Sequence, residues 1–136
     1  MQPFYNEQQT MLATTVRDFA AEKLAPRADE VDEKAEFPMD QFRGLAELGL
    51  TGMTIPEEFG GFGGGYKDFM VVGEEVAAAC GSSSTVLITH VSLGSQTINH
   101  GGDDEQRKRW LPSLASGEKI AAFALTEPGT GSDALA

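Results

Sequence analysis

The sequence predicts an all-α chain, a helical bundle that hands over to one strand near its end. Three observations predict it. Apolar residues recur at about 3.6-residue spacing in successive segments, and Asn, Asp, Pro or Gly stands where those segments should start or stop. Only "KIAAFALT", Lys119 to Thr126, departs from that period; it reads as a short apolar strand.

Asn6 can cap a first helix in which Leu12, Val16, Phe19, Ala20 and Leu24 share a face, with Pro26 closing or bending it. The acidic stretch "ADEVDEKAEF" leads to a second helix. It starts at Pro38, carries Phe42, Leu45 and Leu48 as a stripe, and stops at Gly49. Beyond a glycine-rich loop, Phe69, Val72, Val76, Ala79 and Cys80 line a third helix, for which Gly81 is the expected left-handed cap. "SSSTVLITHVSLGSQTINHGG" is apolar or small on nearly every face, and its β-branched residues could also read as strand. Its length of about four to five turns, with serines before it and glycines after it, favours a buried central helix. Asp103 with Gln106 has capping-box spacing and opens a further helix with Trp110, Leu111 and Leu114 on its apolar side. Pro112 is expected to bend or restart that helix. No internal repeat is present.

A lone strand cannot satisfy its own backbone donors and acceptors, so its sheet must come from elsewhere. Two regions follow: residues 1–117, a helical domain, and residues 118–136, the start of a β-rich domain that the sequence is expected to truncate. The 136 residues suffice for one domain with a real core. With 40% apolar and 23% charged residues, disorder is excluded by composition, and no apolar run approaches the length of a membrane span. Twenty-one acidic against ten basic residues give a net charge of −11, which repels a phosphate backbone and an anionic membrane surface alike. Nucleic acid is not an expected partner, and the same charge argues against this segment being the main grip on a polyanionic cofactor. The start, "MQPFYNEQQT", has neither a signal-peptide nor a transit-peptide pattern, so a cytoplasmic protein is expected.

Most candidate motifs give way to plainer readings. Five glycines fall within positions 60–65, but no Gly-x-x-x-x-Gly-Lys-Ser/Thr follows a strand, and a flexible interhelical turn is the reading preferred over a phosphate cradle. His90 and His100 lack further ligands at sensible spacing, and Asp103 and Asp104 serve a helix start better than an ion, so no metal site is expected. The single cysteine, Cys80, excludes an internal disulfide and reads as a small buried hydrophobe with nothing cationic beside it in sequence. Ser132 is not flanked as a nucleophile elbow. Arg107, Lys108 and Arg109 splay around a helix as a solvated face, with a docking patch as the alternative. "FALTEPGTGSD" is different. A strand delivers the Thr126 hydroxyl, Pro128 fixes a bend, Gly129 and Gly131 expose amides, and Ser132 adds a second hydroxyl, a set able to wrap a flat polar ligand and the start of its phosphate.

Three stretches carry a family resemblance: "PEEFGGFGG" at Pro56 to Gly64, "GDDEQRKRWLPSLASGE" at Gly102 to Glu118, and "AFALTEPGTGSD" at Ala122 to Asp133. In order and spacing they resemble the amino-terminal half of an acyl-CoA dehydrogenase, and the resemblance runs over essentially the whole chain. It implies a helical amino-terminal domain, followed in the family by a β-barrel-like middle domain and a carboxy-terminal four-helix domain. It also implies FAD as cofactor. By resemblance, Phe123 to Ser132 line the flavin, with Leu125 and Thr126 beside the isoalloxazine and the Thr126 hydroxyl bonding near N5. Gly131 and Ser132 would meet the pyrophosphate, Ser132 would also touch the CoA thioester, and residues from Val91 to Gly94 would form part of the acyl pocket. Thr130 stands where the family often has alanine.

The implied reaction removes the pro-R α-proton of an acyl-CoA with a carboxylate base while the β-hydride moves to flavin N5, giving a trans-2-enoyl-CoA. That base is a glutamate of the family's carboxy-terminal domain, so no catalytic residue is expected here, and Glu127 belongs to the loop's structure. The 136 residues alone are expected to be inactive. Electron-transfer flavoprotein as acceptor and a homotetramer for the complete protein are further implications. A decarboxylating glutaryl-type dehydrogenase, an acyl-CoA oxidase and a related flavin monooxygenase remain alternatives within the class. Outside it stands a non-catalytic helical module that docks on a partner chain, to which Ile120–Thr126 would add a strand.

Overall fold

The structure, a computed structural model, describes residues 4–133; residues 1–3 and 134–136, the outer ends of the two expected regions, lie outside it. The described residues form seven α-helices: α1 Glu7–Phe19, α2 Ala28–Glu33, α3 Met39–Glu47, α4 Tyr66–Ala79, α5 Gly81–Ile88, α6 Gln96–Gly101 and α7 Asp104–Ala115. The start of α1 is fixed by a reciprocal box. Asn6 Oδ1 accepts from the Gln9 amide at 2.8 Å, and Gln9 Oε1 accepts from the Asn6 amide at 3.2 Å. Val16, Ala20 and Leu24 are buried as their spacing predicts. Pro26 does not close this element: α1 widens into a π turn, Ala20–Leu24, then tightens into a 3-10 turn, Ala25–Arg27. The change of winding falls where a proline removes a donor and crowds the preceding turn.

Pro38 caps α3, Phe42 and Leu45 are buried, Leu48 remains exposed, and Gly49 takes φ +74° at the helix end. The expected left-handed cap at Gly81 is not formed. Cys80 is extended, at φ −154°, and makes the break by itself: its N–H donates to Val76 O at 2.9 Å, closing α4, and its carbonyl accepts from Ser84 N at 3.0 Å, opening α5. Because one extended residue satisfies both helix ends, Gly81 is free to begin α5. From Gly81 to Gly101 the chain is helical throughout, which settles the helix-or-strand alternative. Its middle, Thr89–Ser95, is a π turn between α5 and α6. In α7, Asp103 and Gln106 form the expected box, and the helix continues through Pro112. Pro112 and Lys108, whose carbonyl loses its donor, are both exposed, so water can serve that carbonyl.

No strand is present among the described residues. Residues 120–126 lie outside regular structure, and the one β-bridge joins Glu127 to Thr130. A ladder needs a neighbouring strand, and the described residues supply none to pair with this segment.

The glycine run is not a flexible turn. The amides of residues 60–64 donate in order to the carbonyls of Glu57, Pro56, Gly52, Ile55 and Met53, at 2.7 to 3.2 Å. Amides committed to carbonyls are not offered to phosphate. The docking is close: a Cβ built on Gly61 would lie 2.0 Å from Ile55 O. Gly61→Ala must therefore move backbone, and we expect a loss of about 1–3 kcal/mol in urea unfolding of the chain; a change below about 0.5 kcal/mol would show that the loop yields freely.

Two apolar clusters organise the packing. The larger joins Val16, Ala20 and Leu24 to Leu45 of α3, Val72 and Val76 of α4, and Leu87 and Val91 of the central helix. The smaller gathers Ile55 with Leu111, Leu114 and Ala115 of α7, and Ala121 packs against it. The second cluster matters most for function, because it seats the segment that leaves α7.

Candidate functional site

The chain leaves α7 through Gly117, at φ +72°, where a Cβ would lie 2.4 Å from Ala46 Cβ. It is held next at Lys119, whose N–H donates to Ser113 O at 2.9 Å, and then at Ala121. The Ala121 N–H donates to His90 Nδ1 at 3.0 Å, and Gly94 stands so close that a Cβ there would be 2.2 Å from Ala121 Cβ. Past that point the segment runs into solvent, with Phe123 45% and Leu125 54% exposed. Its end is ordered by its own backbone. Glu127 N–H donates to Thr130 O at 2.9 Å and Thr130 N–H to Glu127 O at 3.2 Å, with Pro128 and Gly129 at the corner. Cβ atoms at Gly129 and Gly131 would meet nothing within 4 Å. Among the described residues, the amides of Thr126, Gly131 and Ser132 meet no acceptor, and both hydroxyls are exposed. The loop thus presents donors and two apolar side chains on one open segment.

The other residues singled out from sequence sit elsewhere. Val91 is fully buried in the larger cluster, Gly94 is buried against Ala121, and Leu93 between them is 48% exposed. Gly94 is therefore brought to the root of the segment, while Val91 stays within the larger cluster, and neither is brought to the segment's tip. All three lie in the π turn, a deformation that often marks a functional site. The same turn holds Ser95, whose buried hydroxyl has no hydrogen-bond partner among the described residues. Sequence reasoning missed it. Ser92 and Thr97 on the same helix bond back to the carbonyls of Ile88 and Leu93, so a small polar residue in this run carries no distinguishing signal of its own.

His90 is the larger omission. It is fully buried, its Nε2 lies 3.1 Å from Leu114 O, and its Nδ1 accepts from Ala121. Nδ1 must be unprotonated to accept, so Nε2 carries the hydrogen, and a neutral ring bridges α7 to the exit segment. The ring makes a T-shaped pair with Phe42, at a centroid distance of 5.2 Å and an interplanar angle of 80°. Both nitrogens are engaged, and among the described residues no group of three or more His, Cys, Asp or Glu is placed to hold an ion. Burial holds the imidazole below the ordinary histidine pKa, against the opposing pull of the Leu114 and Thr51 backbone. The folded state then binds fewer protons than the unfolded one below the ordinary value. Its contribution to stability is complete above about pH 6.5 and falls as the pH drops below it. We expect the unfolding free energy to decline more steeply below about pH 6.5 in the native chain than in His90→Gln, in denaturant titrations across about pH 5 to 8; equal slopes would remove this role.

Cys80 lies in the core as a small hydrophobe, with Sγ 3.6 Å from Gln41 Oε1. The basic trio is partly engaged. Arg107 donates to Asn99 O and pairs with Asp104, while Arg109 and Lys119 lie 4.6 and 4.9 Å from the Trp110 ring centre. An open apolar cavity of about 330 Å³ lies where Phe4 and Tyr5 meet Tyr66, Met70 and Val71, sharing no residue with the exit segment.

The comparisons with known proteins identify the family of the helical domain. A family profile described as "Acyl-CoA dehydrogenase, N-terminal domain" matches residues 6–118. The chain is 44% identical over 128 residues to the probable acyl-CoA dehydrogenase YngJ of Bacillus subtilis, a match covering 94% of this chain and 34% of that protein. Among solved structures, an acyl-CoA dehydrogenase complexed with FAD from Bacillus anthracis matches at TM-score 0.90 and 38% identity, covering 98% of this chain and 23% of that one. A glutaryl-coenzyme A dehydrogenase in complex with glutaryl-CoA matches at TM-score 0.91 and 35% identity, covering all of this chain and 35% of that one. The chain belongs to the acyl-CoA dehydrogenase family, and its helices form that family's amino-terminal domain. It spans about a third of the length of the curated relatives it matches. No helix among the described residues is long and apolar enough to cross a membrane.

Proposed function

We propose that this chain is the amino-terminal part of an FAD-dependent acyl-CoA dehydrogenase, which introduces a trans double bond between the α and β carbons of an acyl-CoA thioester. The observation that carries this reading is the exposed, donor-rich loop Phe123–Ser132, held at its root against a domain of the acyl-CoA dehydrogenase type. The free donors fit the cofactor. Neutral hydroxyls and amides suit a flavin ring and a pyrophosphate, and a segment of net charge −11 offers little else to an anion. FAD supplies the hydride acceptor when bound.

The residues of this chain then hold and orient. Thr126 would donate its hydroxyl to the flavin near N5, a fixed dipole suited to charge developing there. Phe123 and Leu125 cover the ring and exclude water, which makes that dipole count for more. Gly131 and Ser132 turn their amides to the pyrophosphate. Ser132 also meets the thioester, and Val91 and Gly94 belong to the acyl side of the same site. Glu127 has its backbone committed to the turn and stays a loop residue, and the base that takes the α-proton comes from outside these 136 residues. In this reading residues 1–117 form the helical domain, residues 118–136 begin a β-domain that gives Ile120–Thr126 its ladder, and the 136 residues alone turn over no substrate. The complete protein is a cytoplasmic homotetramer in fatty acid metabolism that passes electrons to electron-transfer flavoprotein.

One alternative has its own support: the similarity to the glutaryl-CoA dehydrogenase complex favours a decarboxylating enzyme on the same fold. Anaerobic titration of the protein purified from its natural source tests these readings. Bleaching of bound flavin by a saturated acyl-CoA is expected, with carbon dioxide from glutaryl-CoA marking the decarboxylating case and rapid oxygen consumption, when the reduced protein is afterwards exposed to air, marking an oxidase. A flavin-free protein would overturn the proposal and leave the helical module that docks on a partner.

A further inference from the structure

The central helix meets the exit segment at Ala121 in two ways. His90 and Gly94 are one helical turn apart and so share a face. The first gives Ala121 its hydrogen bond, at 3.0 Å, and the second gives it room, because any side chain at position 94 would overlap Ala121 Cβ. His90 is in turn fixed from the other side by Leu114 O at 3.1 Å and by its T-shaped contact with Phe42. Ala121 lies among Ile55, Leu111, Leu114 and Ala115, two residues before Phe123. After it, the described chain makes no hydrogen bond until the turn at Glu127 closes on itself. The position from which residues 123–132 depart is therefore set at Ala121.

We propose that His90 and Gly94 form a latch on Ala121, and that His90 is thereby a positioning residue for FAD, acting through the root of the loop without touching the cofactor. The latch itself needs nothing beyond this chain; its consequence for FAD rests on the function proposed above. The neutral Nε2–H form of His90 is the working form, since only an unprotonated Nδ1 can accept from Ala121. A wrong donor at that position would push out the segment that carries the flavin ligands, and a displacement of about an ångström at the root is enough to spoil alignment at the tip.

Hydrogen exchange of the 136-residue chain tests the latch, and FAD affinity of the natural protein tests its consequence. In His90→Phe, which keeps a ring and removes both hydrogen bonds, protection of the Ala121 amide should fall about tenfold or more, while the amides of Val72 and Val76 in α4 stay protected. His90→Gln, which can accept from Ala121 and donate to Leu114 O, should recover part of that protection. Gly94→Ala should lower it with the histidine intact. In the natural protein, the FAD dissociation constant should rise at least about tenfold for His90→Phe and less for His90→Gln, in the order of Ala121 protection. Unchanged Ala121 exchange in both His90→Phe and Gly94→Ala would overturn the latch. Lost protection with unchanged FAD affinity would overturn the positioning role and leave the latch standing. A natural protein that binds no FAD would remove the flavin reading itself, with the latch still decided by exchange in the shorter chain.

Discussion

Thr126→Val is expected to slow flavin reduction by acyl-CoA about a hundredfold in the complete enzyme, the usual cost of removing one preorganised donor from a site of developing charge. The substitution exchanges a hydroxyl for a methyl of similar shape. Thr126 is exposed in this chain and makes no hydrogen bond to the helical domain among the described residues, so neither the fold nor the loop turn depends on its side chain. The effect should therefore appear in the rate of flavin bleaching by stopped-flow absorbance, with helical content unchanged and FAD still bound. Reduction of the Thr126→Val enzyme at the native rate would remove Thr126 from the transition state and leave the loop a part in binding alone.

The largest loss of stability is expected at Phe42. It is 1% exposed in α3, its ring meets the His90 imidazole, and its Cε1 would lie 3.6 Å from a Cβ on Gly117. It thus packs at once against the central helix and the turn that leaves α7. Phe42→Ala leaves a cavity at that junction and should cost about 3–5 kcal/mol, a large fraction of the roughly 5–15 kcal/mol typical of a folded domain. Leu48, just past the end of the same helix, supplies the control: at 42% exposure, Leu48→Ala should change stability by no more than about 0.5 kcal/mol. Denaturant midpoints of the two variants would decide the matter, and equal midpoints would mean that α3 does not carry the junction.

Local devices in this fold were legible in the sequence. Asn6, Asp103 and Gly49 act within a few residues of themselves, so their spacing to the helix they bound is enough to place them. Devices that depend on distant packing were not. Gly81 carries the composition of a left-handed cap, but extended Cys80 makes the break. The run at positions 60–65 looks flexible by composition, and its rigidity comes from carbonyls of residues 52 to 57 that no propensity scale includes. Ile120–Thr126 has strand composition and, among the described residues, no strand partner, so the local signal is left without its ladder.

The candidate site divides in the same way. Thr126, Gly131 and Ser132 stand out because hydroxyls and glycines crowd one short loop. His90 and Ala121 are 31 positions apart, and nothing in that spacing brings a histidine of an apolar helix to the root of the loop. Ser95 was hidden for a related reason: its lack of a partner exists only once the π turn has set the positions of its neighbours.

The most direct test of the central claim is the position of this loop relative to the cofactor, measured in a crystal structure of the natural protein with FAD bound. The expected result is the Thr126 hydroxyl within about 3 Å of flavin N5, with Phe123 and Leu125 against the ring and the Ala121 amide still bonded to His90. Flavin bound away from residues 123–132 would contradict it.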